Sequence, residues 1–157
     1  MVVAALALAG CAAHASGAGG GQSGASGGRG TKALAAAYMA IALPANHRLD
    51  EEVDSYNDHA RDDLAVAEAS LRQEAATERW FDQRLLKIAF PPAIAATARA
   101  LVRVNDQRIA LTTEQAQAMT ISRLLAFNAR HRAADAAVEV QVRFIRKQLG
   151  LPPPGNS

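Results

Sequence analysis

The chain has 157 residues, half of them hydrophobic, with a formal charge of +2 and an isoelectric point near 9.0. Alanine supplies 37 residues and aromatics only seven, a composition that favours helix but buries little area per side chain, so a long, thin core forms more easily than a thick one. A single cysteine excludes an intrachain disulfide, and the charges are split in a way that argues against nucleic acid as a partner. Residues 50–82 hold eleven acids against three bases, whereas residues 99–147 hold nine bases against four acids. Acidic and basic helices lying side by side use such charges internally, with a modest gain for each exposed pair.

Residues 2–10 form an apolar run, Val-Val-Ala-Ala-Leu-Ala-Leu-Ala-Gly, with no basic residue before it. It is too short for a bilayer, which needs ~20 residues, but fits the ~7–15 of a signal-peptide apolar region. It runs into Leu8-Ala9-Gly10-Cys11, which resembles the lipobox of bacterial lipoproteins. In that class a signal peptidase cuts before the cysteine, and the cysteine carries the lipid. The resemblance implies that Cys11 is lipidated and that the chain sits on the extracytoplasmic face of the cell membrane. Residues 1–10 are then a signal remnant and residues 11–31 a lipidated cysteine with its tether. Eight of the fourteen positions from Gly17 to Gly30 are glycine, which predicts a flexible spacer reaching roughly 25 Å. The alanine- and arginine-rich composition of the remainder is similar to that of small lipoproteins of high-GC, actinobacterial-type bacteria. That class is defined by export, so the likeness implies a location and no catalytic residue.

From Thr31 the pattern turns helical, and residues 32–151 read as one domain with a proline-rich tail at 152–157. A first helix, Lys32 to about Tyr56, is capped by Thr31 and carries a stripe at Leu34, Tyr38, Ile41, Ala45, Leu49, Val53 and Tyr56. Pro44 removes one rung, and because the stripe resumes in phase the expectation is a kink, not a division. Asn57-Asp58 reads as a turn. A second helix then runs from about Asp58 to Ala89, striped at Leu64, Ala67, Leu71, Glu74, Glu78, Phe81, Leu85 and Ile88. Phe90-Pro91-Pro92 must end it, and proline suits the first turn of the third helix, which presents Ile94, Ala98, Leu101, Asn105 and Ile109. Thr112-Thr113-Glu114-Gln115 resembles a capping box, but helix length favours a turn at Met119 to Ser122. The fourth helix alternates threes and fours through Ile121, Leu124, Asn128, His131, Asp135, Val138, Val142, Ile145 and Leu149. Gly150 supplies a left-handed cap, Leu151 folds back, and three prolines stop the helix. No strand pattern competes. Long helices joined by short turns predict an all-α, antiparallel, up-down four-helix bundle.

Plain packing does not explain the polar residues halfway along these stripes: Glu74, Glu78, Asn105, Arg108, Asn128, His131 and Asp135, with Gln107 and Asn46-His47-Arg48 near the same level. An unpaired buried carboxylate is very costly, so they need partners. One reading is a self-satisfied layer in which Glu78, Arg108, Asn105 and Asp135 pair and fix helix register. The other is a divalent-metal or small-ligand site using Glu78, His131 and Asp135, weakened by the absence of any Glu-x-x-His pair of the di-iron kind. Asp50, Asp54, Asp58 and Asp62 recur every four residues. They read as a solvated acidic helix end paired with arginines of a neighbouring helix before they read as a cation site. Trp80 is expected to cover a groove between helices. Nothing assembles for nucleophilic catalysis or phosphate binding, so neither an enzyme nor a cofactor is expected. The leading reading is a membrane-anchored, non-catalytic bundle of the cell envelope that contacts a protein or wall component.

Overall fold

A computed structural model describes residues 25–154 and is all-helical, with no strand among the described residues. Four long helices run up and down: α1 (Ala25–His59), α2 (Leu64–Leu85), α3 (Pro92–Gln115) and α5 (Asn128–Gln148), with a short α4 (Ile121–Leu125) before the last. Consecutive long helices pack against each other, and α1 meets α5 in a shared apolar cluster, giving the antiparallel four-helix bundle. Cys11 and most of the glycine-rich stretch lie outside the described residues.

The predicted stripes are the buried faces. Tyr38, Ala42 and Ala45 of α1, Phe81 and Leu85 of α2, Ala98 and Leu101 of α3, and Val138, Val142, Ile145 and Leu149 of α5 form one cluster. Tyr38 and Phe81 meet edge to face at its centre, ring centroids 6.2 Å apart. Tyr56, Ala60, Ala67, Leu71, Ala116, Ala118 and Leu124 form a second cluster at the other end. Between the two lies the polar layer. α1 passes Pro44 without a break, since a single missing rung leaves the helical path intact when the stripe on both sides is buried.

Several boundaries differ from expectation. α1 starts at Ala25, so Thr31 is inside the helix and not its cap, and Gly28 and Gly30 are helical. Extending an existing helix fixes one residue per hydrogen bond, a smaller cost than starting one. The first turn is not Asn57-Asp58 but Ala60 to Asp63, and α2 starts at Leu64, not Asp58. Asp63 caps it, its Oδ1 accepting from Val66 N–H at 3.0 Å. α2 ends at Leu85, not Ala89: the backbone must become extended ahead of Pro91 and Pro92, and Lys87 and Ile88 only make tight bonds to Arg84 and Leu85. Thr112 to Gln115 closes α3 and starts nothing, while Thr120 caps the next helix by accepting from Arg123 N–H at 3.2 Å.

The expected fourth helix is divided at Ala126-Phe127. The cause is Gln115, fully buried, whose Nε2 donates to the Leu124 carbonyl at 2.9 Å and to the Tyr56 hydroxyl at 3.0 Å. A side chain inserted into the ladder takes an acceptor from the i→i−4 series, and the chain tightens locally there. At the far end Gly150 has φ +67°, Leu151 N–H bonds back to Arg146 C=O at 2.9 Å, and Leu151 packs on the core, the helix stop expected from the sequence. Arg146, fully buried, donates from Nε to Pro152 C=O at 2.7 Å and from Nη1 to Met39 Sδ at 3.9 Å, tying the tail and α1 to α5.

Gln115→Ala removes both side-chain bonds and leaves the Tyr56 hydroxyl buried without its partner. We expect urea unfolding to show a loss of about 1–3 kcal/mol, whereas exposed Gln117→Ala should stay within about 0.5 kcal/mol.

Candidate functional site

Arg108 stands at the midpoint of α3 and points into the bundle. Its guanidinium is a rigid fork of donors suited to several carboxylates at once. Nε donates to Asp135 Oδ1 of α5 at 2.6 Å, Nη2 to Glu74 Oε1 of α2 at 2.7 Å, and Nη1 pairs with Glu78 Oε1 of α2. All four side chains are buried. Glu74 and Glu78 share a face one helical turn apart, so one guanidinium spans both. The arrangement places three carboxylates around one cation.

That imbalance sets the electrostatics. Burial raises the Glu74 carboxyl above its usual range, Arg108 opposes the shift, and the charge of Asp135 adds to it. Burial works against the Arg108 cation, but Glu74 and Asp135 outweigh it and hold its pKa above the ordinary value. His131 is buried one turn before Asp135. Burial and then the Arg108 charge depress it to about 4, only partly opposed by Asp135, so the ring is neutral at physiological pH. Two more carboxyls border the layer. Asp82 accepts from Asn105 Nδ2 at 3.0 Å and is pushed up to about 7 by burial, with Asp106 adding to the shift. Glu52 of α1 accepts from Thr77 Oγ1 at 2.8 Å and is also pushed up to about 7, chiefly by burial, against which that bond acts.

The structure thus joins Glu74, Glu78, Arg108 and Asp135 in one network with His131 beside it, and corrects the rest of the expected set. Asn105 serves Asp82 and not the arginine. Asn128 belongs to the other end, lining a cleft of about 320 Å³ with Tyr56, Asn57, Ala60, Arg61 and Leu125, because the break before α5 displaces it from the stripe. Asn46 is buried at the layer, but His47 is exposed against Glu51 at 3.5 Å, and Arg48 lies outside on the Trp80 ring. Trp80 is half-buried between Arg48 and Arg84, whose guanidinium carbons lie 5.0 and 4.6 Å from its centroid. It joins α1 to α2 through two cation–π contacts. Asp50, Asp54, Asp58 and Asp62 are exposed, and among the described residues no arginine of a neighbouring helix pairs with them, so the expected pairing is absent. Glu52, Thr77 and Asp82 were not singled out from the sequence. Asp82 carried a signal, since it continues the four-residue spacing of Glu74 and Glu78.

Among the described residues no group of three or more histidine, cysteine, aspartate or glutamate side chains is placed to hold a metal ion. The guanidinium occupies the place where Glu78 and Asp135 would have to converge with His131. An open cleft of about 650 Å³ between α1 and α2, lined by Arg48, Glu51, Glu52, Ser55, Ser70 and Gln73, reaches the layer only at Glu52. No protein-family model matches this chain, and no curated protein or solved structure matches it either.

The network predicts an order of mutational effects. Arg108→Leu strands three buried carboxylates and should cost roughly 3–5 kcal/mol or prevent folding. Glu78→Gln keeps an acceptor and removes surplus negative charge, so its cost should stay below about 1 kcal/mol in the same urea titration. Equal losses from the two changes would contradict a three-to-one charge balance.

The pH dependence has a definite sign. Asp82 and Glu52 have folded pKa values raised to about 7 from 3.8 and 4.5, so the folded state holds protons that the unfolded chain has released. Their contribution is fully present below the unfolded values and is lost as pH rises through about 7. His131, lowered to about 4 from 6.5, acts oppositely: its contribution is present above 6.5 and is lost as pH falls toward 4. Two carboxyls against one imidazole leave stability falling between about pH 5 and about pH 8. Asp82→Asn should flatten that slope and His131→Gln should steepen it, as read from melting temperatures across pH.

Proposed function

We propose that this chain is a lipid-anchored, non-catalytic helical bundle of the cell envelope, held at the extracytoplasmic face of the membrane and offering its surface to a protein or wall component. The observation that carries the reading is Leu8-Ala9-Gly10-Cys11, an apolar run ending in the chain's single cysteine, followed by a glycine-rich stretch. Among the described residues no helix is long and apolar enough to cross a membrane. On this reading the lipid on Cys11 supplies the attachment.

The non-catalytic part is supported by the mid-bundle layer. Its charged groups are spent on one another: the Arg108 donors go to Glu74, Glu78 and Asp135, and Asn105 goes to Asp82. Catalytic groups need access to a substrate and a place for it beside them. The open cleft between α1 and α2 reaches only Glu52 at the rim. The rival reading, a metal- or small-ligand-binding bundle, draws on buried polar atoms that lack a partner among the described residues: Glu78 Oε2, Asp82 Oδ1 and His131 Nε2. It predicts stoichiometric metal in the purified protein and a melting temperature lowered by chelator. The layer as described predicts neither.

Expression of the chain with its native upstream region, in the presence of a palmitate analogue, tests the anchor. We expect label in the wild type and none in Cys11→Ala, with the wild type recovered in the membrane fraction. Equal labelling of the two would refute the reading.

A further inference from the structure

The bundle is polarised along its length. On the side of the Arg108 layer from which α1 enters, the exposed charged residues include Lys32, Arg84, Lys87, Arg99 and Arg103, joined by Arg143 and Lys147 on α5, against Asp106 and the half-buried Glu139. Toward the opposite end the exposed charges are mixed, with Asp54, Asp58, Asp62, Asp63 and Glu114 standing beside Arg61, Arg72, Arg123, Arg130 and Arg132. Among the described residues, Lys32, Lys87, Arg99, Arg103 and Lys147 take part in no ion pair, so their charge is not spent inside the fold. Arg143 meets Glu139 one turn away, and that pair is exposed.

The same pole exposes apolar side chains among its cations. Val140 and Phe144 stand one turn apart on the outer face of α5, 47% and 55% exposed, flanked by Arg143 and Lys147. Beside them an open groove of about 540 Å³ is walled by Arg143 and Lys147 and floored by Leu151, Pro152 and Pro153. An exposed aromatic ringed by basic residues on a helix, next to an apolar groove, suits an interface where one side is anionic and the other hydrocarbon.

We infer that this basic pole, centred on Arg143, Phe144 and Lys147, rests on an anionic phospholipid surface. The occupant follows from two features: the charge complementarity of the pole, and its being the end at which α1, continuing the chain from Cys11, enters the bundle. The inference rests on the lipid-anchor reading for its biological setting but not for its chemistry. Thirteen residues separate Cys11 from the first residue of α1. An attractive basic pole would hold the bundle in one orientation, leaving the opposite end away from the membrane and free for a partner.

The test uses the full chain carrying Cys11→Ala, so that no lipid contributes. It is sedimented with vesicles of phosphatidylcholine and with vesicles containing phosphatidylglycerol. We expect binding to the anionic vesicles alone, weakened by added salt. Arg143→Gln with Lys147→Gln should weaken it about 25-fold, since each cation near an anionic leaflet contributes about fivefold. Phe144→Ala should weaken the portion that survives in salt, and Arg123→Gln, at the opposite end, should leave binding unchanged. Equal binding to both vesicles, or no loss in the double variant, would overturn the inference. Salt-sensitive self-association without vesicle binding would also overturn it, a second copy of the chain then being the partner. Failure of palmitate labelling strikes the anchor reading and leaves this measurement standing, so the two fail separately.

Discussion

The bundle depends on one guanidinium. In a core built mainly from alanine and leucine, one helical turn offers much the same apolar surface as the next, so several registers of α2 against α3 and α5 would bury similar area. Arg108 removes that degeneracy. A slip of one turn, about 5.4 Å, would shift Glu74, Glu78 and Asp82 by one place along Arg108 and Asn105 and leave one buried acid without its partner. The apolar clusters around Tyr38–Phe81 and Tyr56–Leu71 supply attraction on either side. A buried ion network is a poor source of net stability, because desolvation consumes much of the Coulomb gain. Its effect falls on the choice among packings more than on the depth of the one chosen, and removal of the cation is correspondingly severe.

The layer is also overcharged. Three carboxylates meet one cation, and Asp82 and Glu52 bring the surrounding acids to five. Burial makes each further negative charge more expensive, and the protein meets the cost by holding protons. The acids best able to keep them are those not bonded to Arg108: Asp82, which has only Asn105, and Glu52, which has only Thr77 among its described donors. His131 stays neutral beside the arginine, since a second cation there would be buried without its own carboxylate. The tuning of this core therefore lies at its edge. Glu52 is the member of the layer that lines the α1–α2 cleft.

Much of this was legible in the sequence. The stripes identify the buried faces because a 3.6-residue period needs no knowledge of the partner, and Glu74, Glu78, Arg108, His131 and Asp135 stand out as polar residues on those faces. Gly150 and the start of α3 at Pro92 are local backbone chemistry and fall where expected. The rest depends on contacts distant in sequence. Gln115 divides the last helix by reaching Leu124 and Tyr56, fifty-nine residues away in the second case, and nothing near Ala126 announces it. Asn128 leaves the layer for the same reason. Asp82 was hidden by Phe81, which holds the apolar stripe while its neighbour turns toward Asn105. The first turn lies beyond Asn57-Asp58 because Asp63 offers a true cap, and two acidic candidates so close together cannot be separated without the chain's path.

The two buried arginines resolve the same problem in opposite ways, and the difference reaches the surface. Arg108 is surrounded by more negative charge than it carries, so the middle of the bundle is acidic. Arg146 is as deeply buried, yet it bonds a backbone carbonyl at Pro152 and the Met39 sulfur, and among the described residues no carboxylate pairs with it. A carbonyl dipole satisfies its donors without cancelling its charge. Such a cation is tolerable because it lies near the end of α5, where carbonyls of the last turn present the negative end of the helix dipole. Its uncancelled charge then adds to the field of Arg143 and Lys147 outside it, and in a low-dielectric interior that field is little screened. The polarity of the molecule is therefore built into its core as well as its surface: surplus acid at the layer, and an unneutralised base at the end where α1 enters.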